Sequence, residues 1–451
     1  MGFWNIYLLI CHILSLVAFI RVISQKQRTP TSIIAWTLAL AFMPYISVPL
    51  YFVIGIRKRP TPTQSSLNQD KIILESDKLI PTLFKGYGLD TASSGNDFTL
   101  YTDGVKAYQA FVDELKKAKT RIYISTYVFQ YDVMTKSLLH IFKTKVKEGV
   151  DVRILADGVG SWKLYFSFFL RRKLKSFGIN LRFFMPIFRN PFKNAINLRD
   201  HRKIYIIDNR CVFTGGMNLG DEYMGAKPNK KRWQDILFSL KGNSLKTLER
   251  LFIDDWQFAT GERLKSILPE ASGGNYLVEI APSGPDIQKD IVYNVLMSKI
   301  YQAKKRIWIM TPYFIPPREL VRALVIANYR GVDVKLITPS KSNHLLADIG
   351  RSHYLERLKD ANIDVCLFEG EMVHAKAVLF DDAVMLGSVN LDYRSLFLNY
   401  ELGVFFHSEV ILNQIKVWME GFILNARHEI KKTGPIKQFV ANLMKVFVPL
   451  L

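Results

Sequence analysis

The sequence predicts an α/β protein of two similar lobes, mixed sheets flanked by helices and related by a pseudo-twofold axis, preceded by an N-terminal transmembrane helical hairpin. Three observations carry that expectation. Two long uncharged runs open the chain, Phe3–Ile20 and Ser32–Ile56. Beyond them a helix–strand–helix–strand pattern is written twice. Each copy is followed by a matching polar phrase, HRKIYIIDNRCVFTGGMN from His201 to Asn218 and HAKAVLFDDAVMLGSVN from His374 to Asn390.

The N-terminal runs come first. Each is long enough to cross a hydrocarbon core of about 30 Å as a helix. A cleaved signal peptide is disfavoured, because no cationic segment precedes the first run and no small-residue cleavage site follows it. Pro44 and Pro49 kink the second helix, so a tilted or re-entrant segment is the other reading of that run. Basic residues follow both runs (Arg21, Lys26, Arg28; then Arg57, Lys58, Arg59), and the positive-inside rule therefore does not decide the orientation. Residues 1–59, the predicted anchor, hold six basic and no acidic residues, so most of the net charge of +21 belongs to the remainder. A body that basic rests naturally on an anionic cytoplasmic leaflet. The expectation is a multi-pass protein of the cell membrane with a cytoplasmic body.

PTPTQSSLNQ, residues 60–69, reads as an exposed linker, and the linker as a whole is set at 60–94. AKTRIYISTYVF (Ala118–Phe129) then leads through a helical stretch to EGVDVRILAD (Glu148–Asp157). AKKRIWIMTPYF (Ala303–Phe314) leads through another to RGVDVKLITP (Arg330–Pro339). Strands alternating with helices at this spacing indicate a layered α/β lobe. The lobes are placed at 95–262 and 263–430, with an amphipathic tail at 431–451. The block from Trp162 to Phe192 is dense in aromatic and basic residues. It is either an amphipathic helix packed on its own lobe or a surface facing membrane or substrate. Cys11, Cys211 and Cys366 are scattered and form no CxxC pair, which argues against a disulfide framework and a structural zinc site.

The two polar phrases carry the chemistry. Each sets a His and a Lys two apart, an Asp five beyond the Lys, and a Gly-x-x-Asn beyond an apolar stretch. In a strand, residues two apart share a face, so His201 goes with Lys203 and His374 with Lys376. An ionisable pair at the start of a buried strand is costly unless an anion meets it there. Asp208 and Asp381 fall at the strand ends, where a turn is expected, and the second turn is one residue shorter. Asn218 and Asn390 lie on the returning strands. Two Lys and two Asn supply donors to the oxygens of a phosphodiester. Two His on opposite sides permit in-line displacement, one attacking phosphorus and the other protonating the leaving oxygen; nearly unperturbed imidazoles suit both roles. Asp235 and Glu401, in the segments WQD and NYE, open the next apolar strands. They are read as orienting acids for the imidazoles, the alternative being strand-end acids in surface turns. No carboxylate cluster of metal-ligand spacing accompanies them, so the reading is metal-free, with no cofactor.

These residues resemble the phospholipase D superfamily, whose signature is HxK(x4)D with a following GxxN, present twice. Within it the chain is most similar to the bacterial cardiolipin synthases, through AWTLALAFMPYISVPLYFVIG in the second apolar run, SGP at Ser283–Pro285, TPYFIP at Thr311–Pro316 and NLDYRS at Asn390–Ser395. The resemblance implies two phospholipase D-like lobes and a phosphatidyl-histidine intermediate, with catalysis by His201, Lys203, Asp208, His374, Lys376 and Asp381. His201 is assigned as nucleophile and His374 as general acid/base. It implies transfer of a phosphatidyl group from one phosphatidylglycerol to another, giving cardiolipin and glycerol. A phospholipase D, or a phosphatidyltransferase with another acceptor, is the rival within the superfamily. A membrane-tethered nuclease is the rival outside lipid chemistry. The apolar N-terminus and the aromatic–basic block weigh against it, so the expected partners are membrane phospholipids and not nucleic acid.

Overall fold

The computed structural model describes residues 2–24, 28, 30–55, 79–87, 92–186, 197–287, 289–430 and 434. The PTPTQSSLNQ stretch, residues 187–192 of the aromatic–basic block and the tail at 436–451 lie outside them. The chain forms two compact units, Met1–Arg57 with Met185–Leu198, and Lys58–Phe184 with Arg199–Leu451.

In the N-terminal unit the first apolar run becomes helix α1 (Phe3–Ser24). Its Trp4–Ser24 portion, of mean hydropathy 2.4, is the one helix among the described residues long and apolar enough to cross a bilayer. In the second run the kink expected at Pro44 is a full break. The run forms α2 (Pro30–Phe42) and α3 (Pro44–Ile54), separated by Met43 at φ −136°. Pro44 has no N–H to donate, so the chain leaves the helix and restarts with proline in the first turn. At 13 and 11 residues, each half is about 20 Å or shorter. Ala18, Val22, Leu40, Val48, Tyr51 and Phe52 bury one another and tie the three helices together. Ser47 Oγ donates to the Ala39 carbonyl across the break at 2.8 Å. Ile6, Leu9, Ile13, Leu16 and Ile20 remain on the outside of α1, an apolar exterior that suits lipid.

The second unit holds the strands. Those of the first repeat are β1 (Ala92–Tyr101), β2 (Arg121–Thr126), β3 (Asp151–Asp157), β4 (Asn180–Phe184), β5 (Ile204–Ile207), β6 (Cys211–Gly215) and β7 (Leu237–Gly242). The second repeat gives β8 (Tyr276–Ser283), β9 (Arg306–Met310), β10 (Phe314–Ile315), β11 (Asp333–Pro339), β12 (Asp364–Phe368), β13 (Ala377–Leu379), β14 (Val384–Gly387), β15 (Leu391–Asp392), β16 (Glu401–Phe406) and β17 (Ala426–Arg427). From the middle outward one lobe runs β1-β7-β6-β5-β2-β3-β4, and the other β8-β16-β14-β13-β9-β11-β12 with β17 outside. Each strand of one lobe has its counterpart at the same place in the other. The pseudo-twofold axis passes between β1 and β8, whose antiparallel pairing joins the halves into one fifteen-stranded sheet. The sheets are mixed for a local reason. Strands joined through a helix (β2 to β3, β9 to β11) pair parallel, and those joined by a tight turn (β5–β6, β13–β14) pair antiparallel.

Helices cover both faces of the first lobe. Asp103 caps helix Gly104–Lys117 by accepting from Val105 N–H and Lys106 N–H. That helix buries Ala107, Phe111, Val112 and Leu115, spaced as one helical face, and Ile122, Ile124, Val152 and Ile154 belong to the same core. Alternation along β2 turns Tyr123 to the opposite face. There it stacks on Phe252 of helix Ser244–Thr260, ring centres 5.2 Å apart. The described part of the aromatic–basic block forms two short helices, Trp162–Phe166 and Phe168–Ser176. Leu164, Leu170 and Leu174 anchor them in the lobe's core, while Phe166, Phe168 and Phe169 stay exposed. The stretch read as a linker contains a helix, Leu79–Gly86, and the first residues of β1.

Candidate active site

Both polar phrases reach the site by pairing across the seam. Asp200 bridges Tyr400, and Gln234 bridges Val373. His201 N–H donates to the Tyr400 carbonyl at 2.9 Å, and His374 N–H donates to the Gln234 carbonyl at 2.8 Å. The His-x-Lys segments therefore precede β5 and β13 instead of lying within them, because the opposite lobe takes their backbone bonds. The glycines of the Gly-x-x-Asn motifs answer to close backbone approach. Gly215 (φ +136°) and Gly387 (φ +151°) end β6 and β14 where a Cβ would stand 2.4 Å from Ile236 O and 2.0 Å from Leu402 O. No other residue fits there.

His201, His374, Asn218 and Asn390 line one cavity of about 640 Å³, together with Tyr127, Tyr223, Trp233, Tyr313 and Arg394. The shortened turn after Asp381 is absorbed locally: Phe380 N–H donates to Ala383 O at 2.8 Å, closing a turn over Asp381 and Asp382. Asn390 keeps its place in the cavity wall. Asn218 accepts from Val128 N–H through its side-chain oxygen at 3.2 Å, so the amide group it can offer a ligand is its NH2. Lys203 and Lys376 are buried behind the histidines. Lys203 Nζ donates to the His201 carbonyl at 2.7 Å, and Lys376 Nζ lies 2.8 Å from His374 Nδ1.

The two acids cross between lobes. His201 Nδ1 is 3.0 Å from the Glu401 carboxylate. His374 Nδ1 is 2.6 Å from Asp235. Each imidazole is thus held by the acid of the other repeat, with its Nε2 as the second ring nitrogen. The pairs are not identical. Glu401 also accepts from Ser388 Oγ, whose equivalent near Asp235 is Gly216. A Cβ on Gly216 would fall 2.1 Å from Asp235 Oδ1, so the shorter acid goes with the residue that leaves it room.

Burial pushes both imidazoles below their ordinary pKa, and the neighbouring lysines add to this against the pull of Glu401 and Asp235. Burial thus works against a proton on either imidazole, where the sequence led to an expectation of nearly unperturbed histidines. Burial also lowers Lys203 to about 7 and Lys376 to about 8. Asp235 and Glu401 stay ionised below their ordinary values, since His374 and Lys376, and His201 and Lys203, outweigh the burial that pushes each carboxyl up.

A family model described as cardiolipin synthase, phospholipase D-like domain, matches residues 111–256 and 296–423. The chain belongs to the cardiolipin synthase family. A second model, the phospholipase D-nuclease N-terminal segment, matches residues 13–55. The cardiolipin synthase of Geobacillus thermodenitrificans is 30% identical over 90% of this chain and 85% of its own. That of Clostridium perfringens is 32% identical over 86% of both chains. The crystal structure of phosphatidylserine synthase from Haemophilus influenzae Rd KW20 shares the fold, with a TM-score of 0.57 and 16% identity over 78% of this chain and 94% of that one. With the apolar helix α1, membership of this family makes the chain a membrane protein.

In this member of the cardiolipin synthase family, Asp208 and Asp381 stand apart from the cavity lining. Asp208 accepts from the backbone N–H of Lys119, Thr120 and Arg121 and from Thr120 Oγ1. Asp381 accepts from Lys304, Lys305 and Arg306 N–H. Both clamp the entry of the neighbouring strand, β2 or β9, so the structure gives these two members of the motif a backbone-holding place away from the histidines. Asp208→Ala would orphan three amides and a hydroxyl. The expected result is a loss of about 1–3 kcal/mol of stability, seen as a lower denaturation midpoint, with turnover per folded molecule within a few-fold of the parent.

Sequence reasoning passed over Arg202, the middle residue of the first motif. It is fully buried and bonds Asp255 (2.9 Å), Asp286 (3.1 Å) and the carbonyls of Glu401 and Ser283. The guanidinium thus fixes the backbone of the acid that holds His201. Ala375 occupies the matching place in the second repeat. A third basic residue between His201 and Lys203, just ahead of an apolar strand, was the available signal, since such a charge needs buried partners. A grouping of Asp364, Cys366 and His428 has metal-ligand chemistry. It sits at the outer edge of the second lobe on β12, with Lys335 Nζ 3.6 Å from Asp364, and contributes nothing to the cavity lining.

Proposed function

We propose that the chain transfers a phosphatidyl group from one phosphatidylglycerol to a second, forming cardiolipin and releasing glycerol through a phosphatidyl-histidine intermediate. One observation carries this reading: two imidazoles from separate repeats line one cavity, each held by a carboxylate on its Nδ1. His201 Nε2 attacks phosphorus, the bond to the glycerol oxygen breaks, and His374 delivers the proton that oxygen needs. The hydroxyl of a second phosphatidylglycerol then gives its proton to His374 and attacks phosphorus, and the P–N bond breaks to restore neutral His201. His374 must be protonated for the first step, and burial works against that proton. The anionic phosphodiester supplies the compensating charge when it binds. Lys203, Lys376, Asn218 and Asn390 balance the charge gathering on the phosphoryl oxygens. Exchanging one phosphodiester for another is nearly isoenergetic, so no nucleotide is called for.

The reading places the body at the cytoplasmic leaflet, with α1 and the broken α2–α3 segment as the membrane anchor. The +21 charge supports that side. Incubating the purified protein with phosphatidylglycerol alone separates the rivals. Cardiolipin with equimolar glycerol is expected. Phosphatidic acid alone would make it a hydrolase, and turnover of DNA without turnover of lipid a nuclease. Activity is expected to persist in excess chelator, and loss restored by one divalent ion would contradict a mechanism run by side chains alone.

The pH profile follows from the lysines. Their pKa values lie below the ordinary value, so each is cationic below about 7 to 8 and loses its proton as pH rises through that window. The kcat/KM for phosphatidylglycerol, which reports the free enzyme, is therefore expected to fall more steeply above pH 7–8, on top of the decline that the lowered pKa of the proton donor His374 imposes. Its acid limb, set by protonation of His201, should lie below 6.5. A profile flat to pH 10 would remove the lysines from phosphate binding.

A further inference from the structure

We propose that the helices Trp162–Phe166 and Phe168–Ser176, with Leu345 and Leu346 of the second lobe, form a lip that seats the cavity mouth on an anionic bilayer surface. The partner is lipid: a headgroup layer for the basic residues and the first acyl carbons for the aromatic ones. The inference rests on the lipid reading of the cavity and extends it to how substrate arrives.

Continuity with the site is the first argument. Trp162, Lys163, Leu345 and Leu346 line the same cavity as the two histidines. The leucines are 72% and 54% exposed, and Trp162 is 54% exposed. The lip therefore has an element from each lobe, on the rim through which a phosphodiester would enter. The second argument is what these helices do with their side chains. Leu164, Leu170 and Leu174 are spent on the core of the first lobe, so the pair is firmly mounted. Phe168 and Phe169, with ring centres 5.9 Å apart, nevertheless face outward, Phe169 at 84% exposure. Outward aromatics on an anchored element mark a surface that is covered by something.

Charge selects the cover. Arg171, Arg172, Lys173 and Lys175 are exposed beside the aromatics. No acidic residue occurs between Asp157 and Asp200. Aromatic rings interleaved with uncompensated cations match the headgroup level of an anionic membrane, where rings insert shallowly and ammonium and guanidinium groups meet phosphate. A lipid can then pass its headgroup to the histidines while its acyl chains stay in the bilayer, and the same seal keeps water from the covalent intermediate.

The test uses full-length protein reconstituted in vesicles of phosphatidylcholine with 30 mol% phosphatidylglycerol (about one anionic lipid in three, as the charge argument requires). Phe169→Cys is labelled with an environment-sensitive fluorophore. The native cysteines are buried, and the parent treated identically measures stray labelling. A blue-shifted emission quenched by lipids spin-labelled near the headgroup is expected. Water-like emission, or shielding from iodide without quenching by lipid, which would mean a protein cover, overturns the proposal. As a second arm, Phe168→Ser with Phe169→Ser should lower cardiolipin formation on vesicles about tenfold or more, since two inserted rings are lost. It should leave kcat/KM on monomeric dihexanoyl-phosphatidylglycerol within about twofold, because the lip touches no reacting atom. Equal loss on both substrates, or no loss on either, overturns the lip. If the parent turns over neither lipid while the probe is immersed, the reaction assigned to the cavity fails and the lip stands.

Discussion

Replacement of His201 by alanine is expected to lower cardiolipin formation by about 10³-fold or more, because the proposed mechanism then loses the atom that would carry the phosphatidyl group. His374→Ala should cost a similar factor with phosphatidylglycerol, whose glycerol oxygen leaves poorly without a proton. The two variants part company when the leaving group is changed. A phosphatidyl ester of p-nitrophenol departs as a stabilised anion and needs no acid. With it, His374→Ala should still form a covalent adduct on His201, trapped by quenching in alkaline denaturant, where the acid-labile P–N bond survives, and located by mass spectrometry, while His201→Ala should form none. An adduct on His374 in the His201 variant would reverse the assignment. Both variants should fold, since the cavity-facing imidazoles leave the cross-lobe backbone bonds of residues 201 and 374 intact.

Glu401→Gln and Asp235→Asn are each expected to lower turnover on the order of 10²- to 10⁴-fold, the range seen when an orienting carboxylate is neutralised beside a working histidine. The crossing makes the effects unequal by step. Glu401 lies 3.0 Å from His201, so Glu401→Gln should impair the reactivity of the other lobe's nucleophile and slow adduct formation even from the p-nitrophenyl ester. Asp235 serves His374, so Asp235→Asn should be largely relieved by that ester. If each acid instead affected only the histidine of its own repeat, the crossed arrangement would be wrong. Thermal midpoints of both variants should be reported alongside, since a buried carboxylate beside a lysine also contributes to stability.

Much of this was legible in the chain itself. The doubled His-x-Lys and Gly-x-x-Asn phrases located both imidazoles and both amides, because catalysis restricts residue type as well as hydropathy. Asp235 and Glu401 were legible as acids opening apolar strands. The place of Asp208 and Asp381 was not legible, for a plain reason. A carboxylate at a strand end reads alike whether it faces a ligand or three backbone amides, and only the placement of residues 119–121 and 304–306 distinguishes them. In the second apolar run the prolines announced a kink, and only the structure shows it to be a full break at Pro44, whose missing hydrogen-bond donor ends one helix and starts the next. Arg202 was missed because its partners, Asp255 and Asp286, lie far along the chain.

The sequence by itself determined the duplication, the α/β pattern, the apolar anchor and the identity of the four cavity-lining His and Asn, since each is written in local spacing that period and motif can read. The tertiary structure alone decided that each histidine takes its acid from the opposite repeat, that burial works against the proton on both imidazoles and draws the lysines toward neutral pH, and that two aspartates of the motif bond the backbone. The reason is physical: spacing fixes which face of a strand a side chain takes, but partners and burial are set by what the other half of the chain brings to the seam between β1 and β8.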